Sequence, residues 1–155
     1  MGNVLKQRLQ MSRTTGAGQE AVLNLMVAAG HLRERMDRVC DPHGITSGQY
    51  NVLRILRGAR PDGYARCDIA ERMIERAPDV TRLIDRLEAR GLVERDRSSE
   101  DRRRTVTRIT DKGLRLLERM QPEVDALHDH IERRLSPRDR KELSRILEQL
   151  YANEE

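Results

Sequence analysis

RAPDVTRLIDRLEARGLVERDRSSEDRRRTVTRIT, Arg76 to Thr110, is the stretch that decides the fold. It opens on an amphipathic helix. Pro78 suits a first helical position, because its missing N–H is one of the donors a helix leaves unpaired there. Val80, Leu83, Ile84 and Leu87 recur at three- and four-residue spacing and make one apolar face. Asp79, Arg82, Asp85, Arg86 and Arg90 fall outside that stripe. Gly91 supplies the left-handed residue that closes a helix. Leu92, Val93 and Glu94 begin a strand, and Thr105 to Ile109, β-branched and alternating, form a second. Between the strands DRSSEDRRR is polar throughout and adds nothing to a core.

Helix, stop, strand, basic tip, strand is the outline of a winged helix. Such a helix enters a major groove, about 12 Å wide. The tip carries arginines toward the DNA backbone or an adjacent minor groove. Thr81 and Arg82 are the candidates for contact with bases or phosphates, with Asp79 and Arg86 beside them on the same helix. On a DNA-facing side Asp79 repels phosphate unless it accepts from a cytosine amino group. In the wing, Arg97, Arg102 and Arg104 are candidate backbone partners. A charge run is often no more than a solvated face, but here two strands flank it.

Val80-Thr81-Arg82, Asp85-Arg86-Leu87-Glu88, Gly91-Leu92-Val93, Arg95, Asp101-Arg102-Arg103, Ile109-Thr110 and Gly113 together resemble the signature of MarR-type transcriptional regulators. With its flanking helices the resemblance runs from about Glu20 to the C-terminus. It implies a homodimer in which terminal helices of both subunits interdigitate and hold two winged lobes over a pseudo-palindromic double-stranded DNA site. It implies that Asp101 orients Arg103 into the minor groove. It also implies a small aromatic, anionic effector between the two lobes. Candidate lining residues are His31, Arg35, Tyr50, Arg54 and Tyr64. The chain departs from the family in the turn before the helix. Glu75-Arg76-Ala77-Pro78-Asp79 lacks the usual Ser or Thr, and Ala77 is a poor cap.

The expected fold class is therefore mainly α with a small β-hairpin wing. Residues 46–112 form a winged helix-turn-helix DNA-binding lobe. Residues 1–45 and 113–155 form a helical dimerisation lobe. In the latter, Val22, Leu25, Met26, Ala29, Leu32, Met36 and Val39 line one face of a long helix that ends at Asp41-Pro42-His43-Gly44. Thr46-Ser47-Gly48-Gln49 is a capping box for a helix burying Tyr50, Leu53, Ile55 and Leu56 and stopping at Gly58. Pro61-Asp62-Gly63 is a turn, and Tyr64 begins a short strand that joins the hairpin. Asp68 to Ile74 is the first member of the helix-turn-helix, with Ile69, Ala70 and Met73 inward. Thr110 caps the next helix, whose Leu114, Leu117, Met120, Val124, Leu127, Ile131 and Leu135 form a stripe bent near Pro122. Ser136-Pro137-Arg138-Asp139 starts a last helix with Leu143, Ile146, Leu147 and Leu150 on one face. These apolar faces exceed what one small lobe buries, and a second copy is the simplest outlet.

Composition narrows the function further. Of 155 residues 36% are charged and 2% aromatic, and 27 of the 30 basic residues are Arg. Arg donates two hydrogen bonds at once to phosphate or guanine, although a genome-wide taste for arginine codons gives the same count. There is no apolar run long enough to span a membrane and no secretory leader, so a cytoplasmic protein is expected. No nucleophile sits with a paired base, no glycine loop cradles phosphate and no metal motif is present. His128 and His130, two apart on a helix, face different ways. The chain reads as no enzyme, with no cofactor and no metal. Two alternatives remain. One is a winged-helix protein-interaction module without a specific DNA site. The other is a redox-sensing regulator that uses Cys40 or Cys67.

Overall fold

The computed structural model describes residues 2–10, 16–76, 79–96 and 105–152. In chain order the elements are α1 (Asn3–Arg8), α2 (Ala17–Cys40), a 3-10 turn (Asp41–His43), α3 (Ser47–Gly58), β1 (Tyr64–Ala65), α4 (Arg66–Arg72), α5 (Val80–Ala89), β2 (Val93–Asp96), β3 (Val106–Ile109), α6 (Asp111–Glu132) and α7 (Pro137–Tyr151). The sheet is antiparallel with order β1-β3-β2. Tyr64 pairs with Thr107, and Val93 with Ile109. A mainly helical chain with a small three-stranded sheet is thus the expected class, and Tyr64 joins the hairpin as its third strand.

The local signals act as sequence chemistry dictates. Thr46 accepts from Gln49 N while the Gln49 side chain accepts from Thr46 N, which closes a complete capping box. Thr110 accepts from Gly113 N, and Ser136 from Asp139 N. Gly63 and Gly91 both have positive φ, at 77° and 67°. At Gly63 an added Cβ would lie 2.4 Å from the Thr107 carbonyl oxygen, so glycine lets the turn lie against β3.

Boundaries and faces differ from the sequence reading in several places. Helix α4 begins at Arg66, not Asp68, and ends at Arg72, because Met73 is extended. This leaves Ile74 87% exposed. Helix α5 begins at Val80 with Asp79 as its cap, one step outside the helix rather than in its first turn. Pro78 and Ala77 lie outside the described residues. In α3 the buried stripe is Gln49, Val52, Leu53 and Leu56, spaced three and four apart. That phase carries Tyr50 and Ile55 to its flanks, where they are only half-buried. In α6 the phase likewise buries Leu116 beside Leu117, Met120 and Val124, while Leu135 lies beyond the helix end. The helix continues through Pro122.

One core ties these elements together. Cys40 and Ile45, Val52, Leu53 and Leu56 of α3, Ile69 of α4, and Val80, Ile84 and Leu87 of α5 form one cluster with Leu92, Val93 and Ile109 of the sheet and Leu116, Leu117 and Met120 of α6. Each of α3 and α5 therefore has one side filled. By contrast, Val22, Leu25, Met26 and Leu32 of α2 and Leu143, Ile146 and Leu150 of α7 are exposed. Those stripes exist as the sequence predicts, but no other described residue covers them.

Candidate nucleic-acid interface

Helix α5 is held at both ends and along its back, and this decides what it shows to solvent. At its entry, Ile74 N donates to Asn51 Oδ1 of α3 at 2.9 Å. Arg33 of α2 pairs with Glu75 at 2.7 Å. Asp79 then caps the helix: Oδ1 accepts from Arg82 N at 3.0 Å. At the exit, Gly91 N and Leu92 N donate to the Glu88 and Leu87 carbonyl oxygens. Lys112 Nζ donates to Arg90 O at 2.7 Å and Thr110 Oγ1 to Gly91 O at 2.7 Å, so orphan carbonyls at the helix end find partners.

The charges on α5 are sorted by their neighbours. Arg95 of β2, largely buried, reaches Asp85 at 2.5 Å and Glu88 at 3.2 Å. It draws both carboxylates toward the sheet and neutralises them. Arg90 leaves the helix the other way and donates to the carbonyl oxygens of His43 and Gly44. What stays outward is Thr81, Arg82 and Arg86, all exposed, with Asp79 beside Arg82. Arg82 Nε lies 3.4 Å from Asp79 Oδ2. Arg86 makes no ion pair or hydrogen bond to another described residue.

Of the sequence-derived DNA candidates, Asp79, Thr81, Arg82 and Arg86 thus share the outer side of one helix. Arg97, Asp101, Arg102, Arg103 and Arg104 lie outside the described residues. The strands that lead to them are in place: Arg95 pairs with Thr107 and Asp96 with Val106 in register. Arg108 reaches Asp96 across the ladder at 3.4 Å.

The effector candidates separate. His31 and Arg35 meet on α2, where Arg35 Nε donates to His31 Nε2 at 3.3 Å. Sequence reasoning missed that α6 adds to this spot. His130 has its pKa lowered by slight desolvation and then by Arg134, Arg35, Arg133 and His31. Arg134 Nη1 lies 2.8 Å from His130 Nε2. The i, i+4 spacing of His130 and Arg134 announces that pair, but nothing in the sequence announces its approach to α2. Tyr50 and Tyr64 both pack against the core, and the Tyr64 ring lies under the Arg72 guanidinium at 4.3 Å. Arg54 is half-buried on α3.

The two cysteines are far from equivalent. Cys67 is exposed at the start of α4. Cys40 is fully buried, and burial, reinforced by Asp37, Asp41 and Glu123, pushes its thiol up to about 11. Such a thiol is poor material for a redox sensor, because the thiolate is the reactive form. Among the described residues no group of three His, Cys, Asp or Glu side chains can hold a metal ion, and no helix is long and apolar enough to cross a membrane.

Comparison with known proteins agrees with this arrangement. The sequence model of the MarR family matches residues 45–105, from just before α3 to just before β3. A regulatory protein of Thauera aromatica named for its hcr operon is 31% identical over 108 residues, which span 70% of this chain and 64% of that one. The HTH-type transcriptional regulator FarR of Neisseria gonorrhoeae is 30% identical over 110 residues, 71% of this chain and 74% of FarR. A crystal structure of a MarR transcription factor from Planctomyces limnophilus superposes with TM-score 0.68 at 37% identity, over 88% of this chain and 99% of that one. A mostly helical chain with a small three-stranded antiparallel sheet accords with those relatives, and the chain belongs to the MarR family of DNA-binding, winged-helix transcriptional regulators.

Proposed function

We propose that the protein is a homodimeric repressor that reads a pseudo-palindromic operator and is released by a small aromatic anion. Residues 46–112 are its DNA-binding lobe, and residues 1–45 and 113–155 its dimerisation lobe. The observation that carries this is the sorting of charge on α5. Arg95 draws Asp85 and Glu88 back, so the outer side offers hydroxyl and guanidinium donors to a major groove. Arg97, Arg102 and Arg104 serve as wing contacts to the backbone, with Asp101 orienting Arg103 into the minor groove.

Dimer formation is supported by the open apolar faces of α2 and α7, whose occupant is a second copy of the chain. A two-fold dimer places two reading helices one DNA turn apart, about 34–36 Å. The effector is supported by the half-buried, hydrogen-bonded pair of His31 and Arg35 on α2, with Tyr50 and Arg54 on α3 and Tyr64 on β1. Two relatives point the same way: the homoprotocatechuate degradative operon repressor of Escherichia coli, 28% identical, and NadR, 28% identical and solved in complex with 4-hydroxyphenylacetate.

Fluorescence anisotropy on the DNA upstream of the protein's own gene, against scrambled DNA at two salt concentrations, tests the reading. Preference of ~10³-fold or more, weakening as salt rises, is the expected result. No binding to either duplex at low salt would instead favour a winged-helix module that docks on protein.

A further inference from the structure

Among the described residues, the Asp79–Arg82 pair is built differently from the Arg95 pairs with Asp85 and Glu88 of α5. Asp79 uses one carboxylate oxygen to cap the helix through Arg82 N at 3.0 Å, and its second oxygen lies 3.4 Å from Arg82 Nε. The same carboxylate therefore caps the backbone of Arg82 and lies beside its side chain. The pair lies on the outer side of the helix, with the Arg82 side chain 76% exposed. Its Nη1 and Nη2 make no hydrogen bond to another described residue.

We infer that Arg82 is a base-reading residue for guanine and that Asp79 is its positioning residue; the inference rests on the DNA-binding reading of α5. A guanidinium has two donor edges. The Nε side faces Asp79, which leaves the planar edge formed by Nη1 and Nη2. That edge matches the two acceptors, O6 and N7, that only guanine presents together in the major groove. A fork already held by a neighbour loses less side-chain freedom on contact.

Phosphate is the competing target, and charge argues against it. With Asp79 at 3.4 Å the pair is close to neutral, so it releases little counterion when it docks. A neutralised fork loses long-range attraction but keeps two directed hydrogen bonds. Arg86, with no acid partner among the described residues, is the better phosphate ligand. The two arginines, one turn apart on the same helix, thus divide the work between base and backbone.

The test is selection from a randomised DNA duplex pool by the full-length wild type, by R82A and R82K, and by D79N. Asn caps a helix about as well as Asp, so D79N removes the carboxylate charge without removing the cap. Wild type is expected to enrich symmetric half-sites with one fixed guanine in each. R82A is expected to lose that guanine, by about ten- to a hundredfold in preference, while flanking positions stay enriched, and R82K, which keeps donors to guanine but not the planar fork, to retain part of it. D79N is expected to weaken it by a smaller factor. Salt titration of R82A on the selected site should keep the wild-type slope, whereas R86A should lower it by about 1. If R82A keeps the guanine, or lowers the salt slope as R86A does, Arg82 does not read that base and the inference is overturned. If wild type enriches nothing and binds no duplex at low salt, the DNA-binding reading itself falls, and the inference with it.

Discussion

Arg90, at the C-terminal cap of α5, donates from Nη2 to the carbonyl oxygen of His43 at 3.0 Å, and from Nη1 to that of Gly44. Both acceptors sit in the turn that ends α2. The imidazole of His43 in turn reaches Glu123 of α6 at 2.9 Å. Helix α5 is therefore tied at its far end to a turn that is itself fastened to the long α6. Together with the Arg33–Glu75 pair just before its near end, this ties the flanks of α5 to α2 and to the turn that follows it.

Replacing Arg90 by Ala removes two charge-assisted hydrogen bonds, but the freed carbonyls are near solvent and recover water. The expected cost is about 1 kcal/mol, and the melting temperature should fall by about 2–4 °C. Thermal denaturation by circular dichroism measures it. An unchanged melting temperature would show that the turn and α5 hold their places without this clamp.

Gly113 offers a sharper test, because propensity and packing disagree there. It lies in the first turn of α6, where Ala is ordinarily the better helix former by about 1 kcal/mol. Yet an added Cβ would stand 2.3 Å from the Leu92 carbonyl oxygen and 2.7 Å from Ile109 Cγ1. Both belong to the buried seam between the sheet and α6. Packing should win, so G113A is expected to lose about 1–3 kcal/mol in chemical denaturation. A stabilised G113A would mean that the seam relaxes more easily than its contacts suggest.

The elements were legible in the sequence because local chemistry announces them. The Thr46–Gln49 box, the Ser136–Asp139 start, Gly91 and the β-branched run before Thr110 each declare a boundary that no tertiary contact overrides. Faces were less legible. Spacing marks Tyr50 and Ile55 as readily as Val52, and only the placement of α3 against α5 and α6 shows which stripe faces the core. At the site, spacing placed Thr81, Arg82 and Arg86 on an outer side, but it could not show which charges are already engaged. Asp79 reads as an acid awkwardly placed before DNA until its cap and its Arg82 contact are seen. Asp85 and Glu88 read as free until Arg95 arrives from a strand seven or more residues away. Pairing between elements has no one-dimensional signature.

The cysteines predict a clean chemical contrast. With its thiol pushed up to about 11, Cys40 holds only about one part in ten thousand as thiolate at pH 7, and it is fully buried as well. A thiol-specific reagent should label Cys67 quickly in the native protein and Cys40 only after unfolding. The linkage has a definite sign. Burial favours the neutral thiol, so its contribution to stability is intact below the unfolded value of 9.0 and is lost as pH rises from there toward 11. Replacing Cys40 by Ala should flatten that alkaline loss. Rapid native labelling at Cys40 would reopen the redox-sensing alternative.

The open stripes of α2 and α7 give the test of assembly. Met26 is 67% exposed and Ile146 44% exposed in the single chain, so a charge at either place should change a monomer's stability by no more than about 0.5 kcal/mol. In a dimer that covers these stripes the same charge is buried and unpaired, and association is lost. Sedimentation of the wild type should give twice the 18.0 kDa chain mass, and I146E should give the single mass with its helical content kept. DNA affinity should fall with it, because a lone winged lobe engages one half-site and loses the gain of binding two at once. A dimer that survives both M26E and I146E would place the two-fold contact on some other surface.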